Sequence, residues 1–107
     1  MNKTTLPEDL LQMKSNTVND FDMGDSVIYV PDIVINCKRP SSGHPACKIG
    51  YVVGIDYEHG FVICSFYFRN DGTILHDRIG ENCFPKNLVN VSKNKGEDND
   101  HLPQMQK

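Results

Sequence analysis

The feature that most constrains this chain is a pair of apolar segments, each led by glycine and rich in β-branched and aromatic residues. The first segment covers residues 24–30 and the second covers 48–56. A third apolar run follows at 61–68, and a last one occupies 84–91. Short runs of this kind, separated by turn residues, are typical of a small antiparallel barrel. We therefore expect a mainly β protein with a five-stranded antiparallel barrel, a fold that more often binds than catalyses.

The 107 residues have room for one domain with flanking segments. Residues 1–22 are expected to form an N-terminal extension with a short helix near 7–13, capped by Thr5. Residues 23–92 are expected to form the barrel, and the polar residues 93–107 a disordered tail. The apolar stripe of the predicted helix consists of Leu6, Leu10, Leu11 and Met13.

The first strand is predicted to stop at Pro31, which has no amide hydrogen for a β-ladder. Residues 32–37 are interpreted as a continuation of this strand after a kink. A loop covering roughly 31–46 has the highest concentration of turn-forming residues in the chain. Loops of this length are usually functional or mobile.

The second strand contains two glycines, Gly50 and Gly54, at which bulges are expected. Residues 61–69 are apolar on both faces and are interpreted as the central strand of the barrel, covered on both sides. Gly72 suits a left-handed position in a hairpin turn. Residues 73–76 are predicted to follow this turn and to pair with the strand 61–69. Residues 85–88 are expected to form a single helical turn before a short last strand at 89–91.

The charge balance argues against a dedicated nucleic-acid binder, because the net charge is −3 and such proteins are usually basic. A local basic patch formed by Lys38, Arg39 and Lys48 is still compatible with the sequence. No apolar run is long enough to span a bilayer, and the first residues lack a signal-peptide core. We therefore expect a cytoplasmic protein with no membrane partner, whose cysteines are reduced thiols or metal ligands.

One constellation has the composition of a metal site: Cys37, His44, Cys47 and Cys83. Thiolate and imidazole ligands suit a structural Zn²⁺ ion, which would fasten the long loop. Cysteines are also common fillers of protein cores, so a packed, reduced pair is the alternative. In both cases His44, Cys47 and Cys83 are expected to converge. No other cofactor is indicated.

The aromatic residues offer a possible contact surface. Tyr51, Tyr57 and Tyr67 are the residues expected to be exposed, and tyrosine is favoured at protein interfaces. Phe66 and Phe68 are expected to cover the core.

The residues Gly24-Asp25-x-Val27 and Gly50-x-Val52-x-x-Ile55-Asp56 resemble the KOW group of small barrels of the Src-homology-3 type, to which Tudor-like barrels also belong. The segment between the two motifs is longer here than in the KOW group. The resemblance implies a Src-homology-3-like barrel.

A second resemblance is to small proteins of bacteriophages and prophages, most of which have no assigned function. It rests on Tyr29-x-Pro31, on His44-Pro45-x-Cys47 followed by Gly50, and on Cys83-x-Pro85-x-x-Leu88. It implies a viral or mobile-element origin and action in the host cell cytoplasm.

Three functions were weighed. The first is a non-catalytic phage-type adaptor or inhibitor that binds a host intracellular protein through the long loop, the N-terminal helix and the tyrosines. The alternative is a nucleic-acid-binding barrel of the KOW or Tudor-like kind that uses basic residues, namely Lys38, Arg39, Lys48, Arg69 and Lys86. The third is hydrolysis by Cys47 or Cys83 with His44, for which no orienting acid or oxyanion-hole motif is visible. The sequence does not predict an oligomeric state.

Overall fold

The computed structural model describes residues 6–75 and 80–94. It is mainly β, with one five-stranded antiparallel sheet in the order β4-β3-β2-β1-β5. The strands are β1 (Ser26–Tyr29), β2 (Lys48–Asp56), β3 (Phe61–Arg69), β4 (Glu81–Cys83) and β5 (Leu88–Asn90). The helices are α1 (Glu8–Lys14), α2 (Asp32–Ile35) and α3 (Val91–Asn94), and short 3-10 turns lie at Val18–Asp20 and Pro85–Asn87.

The hairpin of β2 and β3 forms the middle of the sheet. Its register shifts twice, so that Tyr67 and Val53 have no partner on the opposite strand. The shifts border Gly50 and Gly54, where bulges were predicted. Gly50 packs directly against the β3 backbone, where an added Cβ would lie 2.0 Å from the carbonyl oxygen of Ser65. The residue at position 50 therefore has to be glycine for the two strands to pair this closely.

The prediction that residues 61–69 form the central, doubly covered strand is wrong. β2 is the middle strand, and β3 lies between β2 and the edge strand β4. One face of β3 is buried through Val62, Cys64 and Phe66, but Tyr67 on the same strand is exposed. The alternation is therefore that of a strand with one solvent-facing side.

The main core lies on one face of the sheet and includes side chains from all five strands. It consists of Phe21, Val27, Val52, Val62, Cys64, Phe66, Cys83 and Leu88. Cys83 on β4 and Leu88 on β5 belong to this same cluster although their strands lie at opposite edges. No ladder joins β4 to β5 among the described residues, so the sheet is open where a closed barrel was expected.

A second core lies on the other face of β1 and β5, as the alternation of side chains along both strands shows. Val27 and Leu88 contribute to the main core, whereas Val30 and Val89 contribute to the second one. The second core consists of Leu10, Met13, Val30, Val34, Cys47 and Val89. Helix α1 supplies two of these residues, so the N-terminal extension covers this half of the sheet.

The predicted N-terminal helix is present, with two differences from its predicted details. Leu10 and Met13 are buried and Leu6 packs beside them, but Leu11 is exposed. Pro7 occupies the N-cap position without a side-chain hydrogen bond. Thr5, the predicted cap, lies outside the described residues.

Residues 32–35 form helix α2, so the predicted continuation of the first strand is wrong. Pro31 ends the strand as expected, but its carbonyl then accepts hydrogen bonds from the amides of Val34 and Ile35, at 2.9 and 3.1 Å. The helical turn places Val34 in the second core while leaving Ile33 exposed. Pro31 cannot continue the β-ladder, and the backbone instead closes the hydrogen bonds of a helical turn, including that from the N–H of Asn36 to the carbonyl of Asp32 at 2.9 Å.

The C-terminal part of the fold contains two elements that were not predicted. β4 pairs with β3 through Cys83 and Val62, whereas the predicted partner segment 73–76 forms one isolated bridge, between Ile74 and Phe68. His76 falls outside the described residues. Helix α3 extends to residue 94, into the predicted tail; residues 95–107 are also outside the described part. The helical turn and last strand were predicted within one residue of their bounds.

Buried Asn90 fastens α3 to the start of β1. Its amide nitrogen donates to the carbonyl of Asp20 at 2.9 Å and to Oδ2 of Asp25 at 2.8 Å. Its amide oxygen accepts from the backbone N–H of Lys93 at 3.0 Å. The side chain thus joins residues 20–25 to the C-terminal residues 90–93, two regions that are distant in the sequence.

Candidate binding surface

Three aromatic side chains meet on the solvent-facing side of the β2–β3 hairpin. Tyr51, Tyr67 and Phe68 are 43%, 44% and 39% exposed. The ring centroids of Tyr67 and Phe68 are 4.8 Å apart in an edge-on arrangement, and those of Tyr51 and Tyr67 are 6.3 Å apart. Such spacings fall within the range of favourable aromatic pairs. The three rings therefore form one continuous surface.

The local backbone explains why these rings are adjacent. Tyr51 points away from the core because its neighbours Gly50 and Val52 are buried. Tyr67 is the residue skipped in the register, which lets two consecutive residues of β3, Tyr67 and Phe68, both remain exposed. Phe68 also pairs with the exposed Ile74. We call Tyr51, Tyr67, Phe68 and Ile74 the aromatic patch.

The aromatic patch lies on the part of the sheet that α1 does not contact extensively. Helix α1 packs mainly against β5 and the 3-10 turn Pro85–Asn87, on the far side of β1. The outer surface of β1 and β5 is thus buried by the second core, whereas the patch on β2 and β3 stays exposed. An apolar surface left open in this way on a small domain is a common property of interaction sites.

Of the predicted surface tyrosines, the structure brings Tyr51 and Tyr67 together but leaves Tyr57 apart. Tyr57 is exposed in the turn that joins β2 to β3. Phe68 was assigned to the core, and this is wrong, whereas Phe66 is buried as predicted. Strict alternation along β3 places both phenylalanines on one face, and only the bulge at Tyr67 reverses the orientation of Phe68.

The three predicted basic binding residues have different surroundings. Lys38 and Arg39 are exposed. Lys48 instead lies against the aromatic rings of Tyr29 and Phe66, 5.2 and 4.8 Å from their centroids, and its Nζ donates to Oε1 of Glu81 at 2.8 Å. Its charge is thereby neutralised, and Lys48 is not available as a cation for a ligand.

The predicted metal ligands do not converge. Cys47 belongs to the second core and Cys83 to the main core, on opposite faces of β1 and β5. The Nδ1 atom of His44 accepts a hydrogen bond from the backbone N–H of Ala46 at 3.1 Å. Across residues 6–75 and 80–94, no three histidine, cysteine or acidic side chains are grouped as metal ligands would be. The expected convergence is wrong, and we propose no zinc site.

The environment of Cys47 is also unsuited to a nucleophile. Burial raises the pKa of this thiol to about 11, because the charged thiolate would be poorly solvated there. The Sγ–H group donates to the carbonyl of Ser41 at 3.6 Å. At neutral pH the thiol is therefore protonated and a weak attacking group. Cys64 is fully buried and packs in the main core.

The long loop is anchored by a residue that the sequence analysis missed. The side-chain amide of Asn70 donates to the carbonyls of Ser42 and His44, at 2.7 and 3.1 Å. On the other side of the loop, the hydroxyl of Ser42 donates to Oδ2 of Asp9 in α1 at 2.6 Å. These hydrogen bonds fasten the loop to β3 and to the N-terminal helix. The sequence carries no signal for this contact, because asparagine directly after a strand is usually a turn residue.

Comparison with known proteins adds no family. A scan against protein-family models, a search of curated proteins and a search of solved structures each found no match. In the described part of the chain, none of the helices has the length and apolar character needed to cross a membrane.

Proposed function

We propose that this chain is a non-catalytic adaptor or inhibitor that binds a partner protein through the aromatic patch. The observation that carries the proposal is the contact of three exposed rings, Tyr51, Tyr67 and Phe68, on one face of the sheet. Tyrosine and phenylalanine are enriched at interfaces, and a few clustered aromatic residues often supply most of the binding energy. The rigid hairpin holds these rings in place, which lowers the entropic cost of binding.

The proposed partner is an intracellular protein of a bacterial host, and the proposed origin of the chain is a phage or prophage. These two points rest on the sequence motifs around Pro31, Cys47 and Cys83. The proposed fold is a Src-homology-3-like barrel whose edges curl toward each other. The packing of Cys83 and Leu88 in one core supports this, since it draws the edge strands β4 and β5 to the same side.

The test is affinity capture from nuclease-treated bacterial lysate with two matched variants. The first variant replaces Tyr51, Tyr67 and Phe68 by serine, and the control replaces Tyr57 by serine. We expect one protein to be retained in stoichiometric amount by the native chain and by the control but not by the first variant. Each lost aromatic hot spot should cost about 2 kcal/mol of binding free energy, measured by calorimetry with the purified partner.

Two results would overturn the proposal. The first is capture of the same protein by the variant without the three rings. The second is recovery of nucleic acid from untreated lysate in place of a protein, with a binding constant that falls steeply as salt is added. That second result would indicate the alternative function, through the exposed residues Lys38 and Arg39.

A further inference from the structure

A cleft separate from the aromatic patch lies where α1, α2 and the 3-10 turn Pro85–Asn87 meet. Its volume is about 260 Å³. It is lined by Lys14, Asp32, Ile35, Asn36, Lys86 and Asn87. This volume lies just below the range of about 300–1,000 Å³ usual for ligand pockets, so the cleft would hold only a very small molecule and no folded partner.

Two lysines at the cleft have no anionic partner in the part of the chain that the structure describes. Lys14 is in the last turn of α1 and Lys86 is in the 3-10 turn. Neither forms an ion pair within residues 6–75 and 80–94, whereas Lys48 and Lys93 are both paired with carboxylates. The cleft therefore has two ammonium groups without a carboxylate partner in the described residues, and that of Lys86 lies over the ring of Phe84, 5.7 Å from its centroid.

The cleft is also lined by a buried asparagine. Asn87 is only 5% exposed. Both hydrogens of its amide nitrogen are used, one by the carbonyl of Val30 and one by Oδ1 of Asp32, each at 2.9 Å. No described protein group donates to the amide oxygen of Asn87. Buried polar atoms are normally hydrogen-bonded, so a donor on a ligand would fill a role that the protein leaves open.

We propose that this cleft binds a small organic anion that carries an amino or hydroxyl group beside its carboxylate or phosphate. The ammonium groups of Lys14 and Lys86 would hold the anionic group. The amide oxygen of Asn87, together with the carboxylate of Asp32, would accept hydrogen bonds from the amino or hydroxyl group. The site is independent of the proposed protein-binding function, since it shares no residue with the aromatic patch.

The experiment is a titration of the isotope-labelled full chain, followed by the amide signals of residues 14, 32–36 and 86–87. Two probes represent the two sources of the anion: ribose 5-phosphate and L-serine. Sodium chloride at matched ionic strength is the reference. We expect saturable shifts at these residues with millimolar or tighter dissociation constants. Binding of only one probe identifies the anion as phosphate or carboxylate, and saturation by neither probe overturns the proposal.

Matched variants separate a specific site from general charge attraction. K14Q and K86Q each remove one positive charge from the cleft, and K93Q removes one elsewhere on the surface. K14Q and K86Q should each weaken binding about tenfold, because each removes one charge-assisted hydrogen bond to the anion. K93Q should leave the dissociation constant unchanged. Equal weakening by all three variants, or by none, overturns the proposal.

Discussion

Replacement of Gly50 by alanine should strongly destabilise the fold. The added Cβ would lie 2.0 Å from the carbonyl oxygen of Ser65 and 2.8 Å from the Cα of Phe66. Nonbonded atoms prefer separations of about 3.5–4.0 Å, so β2 and β3 would have to move apart by more than about 1 Å. Both obstructing atoms belong to the backbone, and no side-chain rotation can relieve the clash.

The cost of this movement can be estimated from known overpacking effects. Such substitutions typically cost about 1–3 kcal/mol, and a clash with the backbone of a paired strand belongs at or above the upper limit. We therefore expect G50A to lose about 3–5 kcal/mol of unfolding free energy. Since single domains of this size are stable by about 5–15 kcal/mol, this loss would remove between about a fifth and all of the unfolding free energy.

Gly54 provides a matched control on the same strand. An added Cβ there would lie 3.4 Å from Cδ1 and 3.7 Å from Cβ of Ile63, both ordinary contacts. G54A should change the stability by less than about 1 kcal/mol, because alanine also restricts the unfolded chain. Urea unfolding followed by circular dichroism gives both values, and the chain has no tryptophan for fluorescence. If G50A loses no more stability than G54A, the close approach of β2 and β3 at Gly50 is wrong.

Three further predictions concern the side chains of Cys47, Asn70 and Asn90. Because burial raises the pKa of Cys47 to about 11 from its usual 9.0, the unfolded thiol ionises first, and stability should decline as the pH rises from about 9 to about 11. The raised pKa values of Tyr29 and Lys93 add to this alkaline decline, so C47A should make it shallower in urea unfolding without removing it. N70A should lose about 2 kcal/mol and speed amide hydrogen exchange in the loop at residues 42–47, whereas the exposed control N82A should do neither. N90A removes three hydrogen bonds and should cost about 2–4 kcal/mol in urea unfolding; a loss below about 1 kcal/mol would contradict the role of Asn90 in fastening α3.

The sequence predicted those elements whose signals are local. The bounds of β3 and the helical character of α1 follow from apolar spacing within a few residues. The glycine at position 72 predicted a left-handed turn residue, and the structure confirms it with a φ of 92°, which glycine adopts without strain. The irregular pairing near Gly50 and Gly54 was also predicted from a local signal, because glycine inside a strand often marks a bulge.

The candidate site was predicted only in part. Exposure of Tyr51 and Tyr67 follows from their place in the strand pattern, but the exposure of Phe68 does not. It depends on how β3 pairs with β2, since the skipped Tyr67 changes the side on which the following residue lies. The pairing of Lys48 with Glu81 likewise joins residues that are distant in sequence and carry no common motif.

What the sequence alone determined is therefore the β class, the central hairpin and two of the four residues of the aromatic patch. What only the tertiary structure decided is how the chain distributes its apolar residues between two cores. Helix α1, α2 and the long loop pack on the outer face of β1 and β5, and this places Cys47 on the opposite side of the sheet from Cys83. The physical reason is that burial of apolar area is non-directional. A sequence shows which side chains must be buried, but the face on which each is buried depends on the partners that the whole fold brings to it.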